Sequence, residues 1–303
     1  MEPSKRPLVD VRVVAEGLVF PEGPVALDDG SLLVTEVRRG VVTRLAADGT
    51  GTPEVVAECG GGPNGAAIGP DGALYVCNNG GHDPAEYTGG RVERVDLATG
   101  KVEVLYEACD GQRLAGPNDL VFDGDGGFWF SDTGKFLPDV RHYGGLFHAR
   151  SDGSGIVRVI DKVDAPNGIG LSPDGRTLYW AETLSARLYG RAITGPGQLE
   201  HDRNHDPASL VGSAPGVQMF DSLAVAADGS VCIGTLISGV VTQISADGTE
   251  VTQHTLPDEL ADPMVTNLCF GGPDRRTAYL TLSDTGRVVA CTWPTPGLAL
   301  EHT

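Results

Sequence analysis

Six copies of one short segment recur along the chain. Each copy begins with a polar residue, continues as a short apolar stretch and reaches an Asp turn, as in PEGPVALDDGSLLVTE and PNGAAIGPDGALYVCN. The first polar residues, which we call the anchors, are Glu22, Asn64, Asn118, Asn167, Asp221 and Asn267. The turn residues lie seven positions further on, at Asp29, Asp71, Asp125, Asp174, Asp228 and Asp274. Asp-Gly supplies the positive φ of a tight hairpin, so each copy predicts two antiparallel strands.

A third strand and a second turn follow most copies, for example in GVVTRLAADGT and GVVTQISADGT. A unit of about 40 to 55 residues that contributes four strands is typical of a β-propeller. The chain is therefore predicted to be all-β, a six-bladed propeller with four antiparallel strands per blade. The opening segment VDVRVVAEG alternates as a strand and is expected to close blade six beside RVVACTW. No linker divides the chain, and we expect residues 1–303 to form a single domain.

Charge and targeting signals limit the partners. The formal net charge is -19, which argues against nucleic acid or an anionic membrane, because both require a basic surface. The N-terminus lacks the apolar core of a signal peptide, and no run of about 18 apolar residues could span a bilayer. The six cysteines have no metal-binding spacing. We expect a cytoplasmic protein with reduced thiols and a small-molecule partner.

The anchors predict a metal site. The first strand of each propeller blade lines the channel, so the six anchors should converge on its axis, presenting two carboxylates and four amides. This oxygen set suits a hard divalent cation, with Ca²⁺ the first expectation and Mg²⁺, Mn²⁺, Zn²⁺ or Fe²⁺ as alternatives. Glu22 and Asp221 would repel each other without a cation between them. The alternative interpretation is that each Asn only forms a turn.

Two long connections supply further candidates. NNGGHDPAEYTGG and TGKFLPDVRHYGG follow the second strands of blades two and three, and should overhang the channel mouth on the anchor side. His82, Tyr87, His142 and Tyr143 in them could contact substrate, or could be ordinary exposed loop residues. His201 and His205 lie in a polar loop expected on the opposite face.

A second set of polar residues ends the second strands. Its members are Glu36, Asn78, Asp132, Glu182 and Thr235. They could orient the anchor amides through hydrogen bonds, or simply be solvated strand ends.

The motifs FPEGPV, GPNDLVF, PNGIGLSPDG and FDSLAV, with TNLCFGGPD near the end, resemble the SMP-30/gluconolactonase (regucalcin-like) family. The resemblance implies metal ligation by Glu22, Asn118, Asn167 and Asp221. Asn64 and Asn267 match ring positions that the family does not generally use as ligands, and we keep them as candidate substrate contacts. Sugar-lactone members often carry an Arg two residues before the blade-three Asn, where this chain has Gly116. That departure weakens the case for an aldonolactone substrate.

These residues lead to a functional hypothesis. The chain is expected to be a metal-dependent hydrolase of a small cyclic ester, a lactone. The cation would polarise the carbonyl, and Asp221 would activate water or attack directly. Two alternatives use the same fold: hydrolysis of an organophosphate or activated ester at the same centre, and a non-catalytic propeller scaffold. No GxSxG elbow is present to support a serine hydrolase.

Overall fold

Strands make up most of the regular structure in the computed structural model of the chain, which describes residues 3–81, 83–200 and 209–302. Two strands, β1 (Ser4–Pro7) and β2 (Val9–Ala15), precede the first blade. Blades one and two contain β3 (Pro21–Ala26), β4 (Ser31–Glu36), β5 (Val41–Ala46) and β6 (Glu54–Glu58), then β7 (Pro63–Ile68), β8 (Leu74–Asn78), β9 (Arg91–Val95) and β10 (Val102–Tyr106). A short pair, β11 (Ala108–Cys109) and β12 (Gln112–Arg113), leads to blade three.

The remaining blades follow the same plan. Blade three contains β13 (Pro117–Phe122), β14 (Gly127–Asp132), an inserted pair β15 (Lys135–Phe136) and β16 (Arg141–His142), then β17 (Gly144–Arg150) and β18 (Ile156–Val163). Blade four contains β19 (Pro166–Leu171), β20 (Thr177–Glu182), β21 (Arg187–Gly195), β22 (Gln198–Leu199) and β23 (Leu210–Ser213). Blade five contains β24 (Met219–Val225), β25 (Val231–Leu236), β26 (Val240–Ile244) and β27 (Val251–Thr255). Blade six begins with β28 (Val265–Gly271), β29 (Thr277–Leu282) and β30 (Arg287–Thr292).

The pairing confirms the predicted six-bladed propeller. Each sheet is antiparallel from its inner to its fourth strand, and the inner strands contact one another in the closed order β3, β7, β13, β19, β24, β28 and back to β3. Strand β2 pairs with β30, with Val13 opposite Val289, so the N-terminal segment completes blade six as expected. Strand β1 was not predicted: it pairs parallel with β27, with Arg6 opposite His254, and widens blade five to five strands.

The hairpin between the first two strands of each blade defines one face of the propeller, which we call the turn face. In blade one, Gly30 follows the turn Asp and has φ 80°, the conformation that the Asp-Gly pattern predicts. Blade six has Arg275 instead, with φ 54°. Its guanidinium Nε donates to the carbonyl of Gly297 at 3.1 Å, so this unusual turn also holds the C-terminal segment.

The C-terminal segment crosses the channel at the turn face. The Leu298 amide donates to the Val225 carbonyl at 3.0 Å, and the His302 ring lies 5.8 Å from that of Phe122 across the channel. Residues 298–302 line a cavity of about 890 Å³ together with the inner strands. The anchors therefore lie toward the opposite end, which we call the anchor face.

The apolar core lies between neighbouring blades. Phe130 and Phe147 stack at 4.9 Å in blade three, and Trp293 is fully buried between blades five and six. The six cysteines are free thiols. Within the described parts of the chain, no helix has the length and apolar character needed to cross a lipid bilayer.

A buried histidine makes this core sensitive to pH. His254 is 3 % exposed, its ring lies 4.4 Å from that of Trp293, and its Nε2 is 2.9 Å from Gln243 Oε1. Burial, assisted by the charge of Arg6, lowers the pKa of His254 to about 4. Because the unfolded chain then binds a proton at a higher pH than the folded chain, this group destabilises the fold as pH falls below about 6.5.

We therefore predict that His254→Phe reduces the loss of unfolding free energy between pH 7.5 and pH 5 by about 1–2 kcal/mol relative to the parent chain. Urea unfolding at both pH values measures it. The readout is the difference in unfolding free energy between the two pH values, so a packing cost of Phe that is the same at both pH values does not affect it. An equal difference in both proteins would contradict the assignment.

Candidate active site

All six anchors are at least nine-tenths buried at the anchor-face end of the inner strands, a region that we call the hub. The local cause is the close approach of these strands. Gly65 follows the blade-two anchor, and a Cβ there would lie 2.5 Å from the Asn118 carbonyl oxygen. A larger residue would push these strands apart, so the glycine allows the close approach at this blade boundary.

Hydrogen bonds tie anchor side chains to residues of neighbouring blades. Asn267 Nδ2 donates to Glu22 Oε2 at 2.8 Å, which links blade six to blade one. Ser222 Oγ donates to Asn167 Oδ1 at 3.3 Å, which links blade five to blade four. Asn167 Nδ2 donates in turn to Thr183 Oγ1 at 3.1 Å. Neutral donors thus tie anchor side chains to neighbouring blades on two sides of the hub.

The hub concentrates buried carboxyl groups. Burial raises the pKa of Glu22 above its ordinary value, although hydrogen bonds from Asn267 and the Gly23 amide oppose the shift. Burial, and then the negative charge of Glu22, raises the pKa of Asp221 well above its usual range. The two predicted acidic anchors therefore lie close enough to interact electrostatically.

A third carboxyl group, Asp119, was missed in the sequence. It is 7 % exposed, and burial, followed by the charge of Glu22, raises its pKa to about 7. Ser222 hydrogen-bonds to it, which connects it to the Asn167 side of the hub. A signal was available: glycine follows the anchor in blades one, two and four, whereas blade three places an acid there.

Two amide oxygens at the hub lack partners. Asn64 Oδ1 and Asn118 Oδ1 are buried without a hydrogen bond. Such groups call for an explanation, and a bound ion is one. Together with the carboxylates of Glu22 and Asp221 they form the oxygen set that Ca²⁺ and similar hard cations prefer. In the described ranges no three His, Cys, Asp or Glu side chains converge in a metal-binding arrangement, so a cation here would depend on the amides.

Three members of the second polar layer, Glu36, Asn78 and Asp132, are buried and accept hydrogen bonds from backbone amides rather than from anchor side chains. Asp132 accepts hydrogen bonds from the amides of Ala115, Gly116 and Gly134 at 2.7–2.8 Å. Asn78 Oδ1 and Glu36 Oε2 likewise accept from backbone amides two or three residues before their own anchors. These buried side chains therefore fix the segments that enter the inner strands. Glu182 and Thr235 bond locally instead, to Ser185 and to the Ile233 carbonyl.

The long connections of blades two and three lie on the anchor face and contact each other. Lys135 Nζ lies 5.0 Å from the centre of the Tyr87 ring and donates to the carbonyls of Asn79 and Gly81. Burial lowers the pKa of Lys135. The Tyr87 hydroxyl donates to the Ala115 carbonyl at 2.7 Å, so this candidate binds the protein itself.

The other loop candidates differ in their surroundings. Tyr143 is 54 % exposed, with the Arg141 guanidinium 4.8 Å from its ring centre. His142 pairs with Lys135 in the short β15–β16 ladder and is exposed. His82, like His201 and His205, lies outside the described residues.

Fold and hub together define a six-bladed propeller with a buried, acidic polar site on its axis. The chain belongs to the SMP-30/Gluconolactonase/LRE-like family, whose model matches residues 20–284.

Individual relatives share modest sequence identity with the chain. The chain is 29 % identical over 192 residues to a gluconolactonase of Zymomonas mobilis. That alignment covers 56 % of this chain and 50 % of the relative. The chain is 27 % identical over 244 residues to lactonase drp35 of Staphylococcus saprophyticus, covering 80 % and 69 %. The chain thus spans about half to two thirds of these relatives. A regucalcin from Agrobacterium tumefaciens, described as a calcium-binding protein, shares the fold with a TM-score of 0.77 at 18 % identity, covering 99 % and 98 %.

The backbone at Gly116 leaves no room for a side chain. A Cβ there would overlap the Gly134 carbonyl oxygen, and the Gly116 amide is held by Asp132 at 2.7 Å. We predict that Gly116→Ala lowers the free energy of unfolding by about 1–3 kcal/mol, because the overlap forces the backbone to move. Urea unfolding measures the loss. Gly155→Ala is the matched control, since its Cβ would meet only Arg150 Cγ at 4.0 Å. Equal stability of the two variants would contradict the clash.

Proposed function

We propose that the chain is a metal-dependent hydrolase of small cyclic esters. Glu22, Asn118, Asn167 and Asp221 would hold one divalent cation, with Ca²⁺ the first choice, and Asp221 would also act in the reaction. The observation that carries the proposal is the burial of Glu22 and Asp221 close together at the hub, beside an amide oxygen of Asn118 that has no partner in the protein. Burying like charges in this way is costly unless a cation balances them.

The roles of the residues follow from their surroundings. A divalent cation bound at the hub would supply Lewis acidity toward the substrate carbonyl. Asp221 would take the proton of an attacking water molecule, or attack the carbonyl carbon itself. With water as nucleophile, its oxygen bonds to the carbonyl carbon, the ring C–O bond breaks and the proton passes to the leaving oxygen. Asn167 hydrogen-bonds to Asp221 and so would orient the carboxylate.

The comparisons support this class of reaction. Relatives that match over half or more of this chain carry the names gluconolactonase and lactonase, and the regucalcin of similar fold is described as calcium-binding. These names belong to those proteins, and for this chain they make a lactone the first substrate class to test. Organophosphates and activated aryl esters are the second panel for the same assay.

We predict that Asp221→Ala and Asp221→Asn each lower kcat/KM for a lactone roughly 10²–10⁴-fold, because both remove the carboxylate that would handle the proton. A pH-indicator assay of acid release measures this. Asp228→Asn, in the hairpin turn of the same blade, is the control and should keep full activity, since it lies at the turn face. An Asp221 variant with parental activity would remove this residue from the mechanism.

Cation binding has a readout that does not depend on activity. We predict that saturating Ca²⁺ raises the unfolding midpoint of the parent chain by roughly 5 °C relative to EDTA, as expected for a ligand near a hundred times its Kd. Glu22→Gln, which removes one buried charge while keeping its shape, should abolish that difference. Asp48→Asn in an exposed hairpin should retain it. No calcium response in the parent chain would contradict the calcium assignment, and the other divalent cations would then be compared.

A further inference from the structure

Exposed apolar side chains are unevenly distributed over the propeller. The described residues include thirteen large hydrophobic side chains that are exposed. Five of them lie on the outer strands β2, β10, β18 and β23, and Leu300 lies in the C-terminal segment. The other seven all lie in connections on the anchor face, and we call them the apolar rim: Val19, Phe136, Val140, Tyr143, Leu184, Val217 and Ile237. None of the described hairpin turns on the turn face carries one.

Two rim residues, Leu184 and Val217, lie next to the blade-four and blade-five segments of the hub. Leu184 follows β20 in blade four, and Val217, which is 83 % exposed, precedes β24 in blade five. The connection that carries Leu184 is hydrogen-bonded to the start of β24, where the Phe220 amide donates to the Thr183 carbonyl at 3.3 Å. Asp221 directly follows Phe220, so this part of the rim adjoins the segment that delivers the candidate catalytic carboxylate.

Several long polar side chains of the anchor face are already bound to the protein. Lys135 donates to two backbone carbonyls, and the Tyr87 hydroxyl donates to a third. Arg141 forms an ion pair with Asp164 and lies over the rings of Phe136 and Tyr143. These groups offer little to a substrate that presents many hydroxyls.

Ile237 is a backbone outlier in the rim. It has φ 74° and is 51 % exposed, in the connection between β25 and β26. A β-branched residue at positive φ is strained, and such residues cluster at functional sites. The Ile237 amide donates to the Pro263 carbonyl at 2.8 Å, which holds this conformation. An apolar side chain is thus presented to solvent where Asn or Gly would be easier to accommodate.

We propose that the apolar rim binds an apolar substituent of the substrate, so that the preferred substrates are lactones carrying an alkyl or aryl group rather than polyhydroxylated lactones. This inference rests on the proposed lactonase function. The rim residues lie on the same face of the propeller as the hub. The contribution of such apolar contacts to binding grows with the apolar area that the ligand covers.

Three lactones with the same six-membered ring test the substrate class. We expect kcat/KM for δ-decanolactone to exceed that for unsubstituted δ-valerolactone by roughly tenfold or more, with D-glucono-δ-lactone the poorest of the three. A preference for gluconolactone or valerolactone would overturn the rim proposal alone. If the chain hydrolyses none of the three, the proposed lactonase function fails as well.

Two rim variants and one control test the residues. Val217→Ser and Ile237→Asn should each lower kcat/KM for δ-decanolactone about threefold to tenfold and leave δ-valerolactone unchanged. Ile237→Asn should also raise the unfolding midpoint, because Asn tolerates positive φ. Val104→Ser, at an exposed Val on the outer strand β10, should change neither substrate. Equal losses on both lactones, or an altered oligomeric state with unaltered selectivity, would overturn the assignment.

Discussion

The close approach of six inner strands around one axis is the constraint on which the rest of the structure depends. In blades one, two and four, glycine after the anchor lets neighbouring strands pack backbone against backbone, as at Gly65 beside Asn118. This approach buries every anchor, and it brings Glu22, Asp119 and Asp221 within electrostatic reach of one another. The raised pKa values at the hub are therefore a consequence of ring closure rather than of any single blade.

The two faces of the propeller have different physical characters. In five of the six blades the turn face has an Asp-Gly hairpin, and the C-terminal segment lies across its channel opening. The anchor face carries longer connections, which buried acceptors such as Asp132 hold in place. In a propeller the strands form a rigid scaffold that holds the polar site, while the connections around the site can differ in length and sequence without changing that scaffold.

Some strand pairings and hydrogen bonds could not be predicted from the repeat alone. Strand β1 pairs with β27, almost 250 residues away, and its four residues show no pattern that predicts this pairing. The polar ends of the second strands look alike in the sequence, yet Asp132 holds three backbone amides while Thr235 bonds within its own blade. Which acceptor meets which amide depends on loop paths, and loop paths depend on contacts between distant segments.

The sequence by itself determined the six blades, the closing N-terminal strand and the position of the anchors, because strand alternation and turn chemistry are local and repeat at a fixed interval. Only the tertiary structure decided which groups are buried together. Asp119 becomes part of the hub because its own strand β13 packs against blade four, where the Ile169 backbone hydrogen-bonds to it. Gly116 excludes a side chain because the Gly134 carbonyl lies beside it. Burial and desolvation depend on neighbours from other blades, which no local pattern specifies.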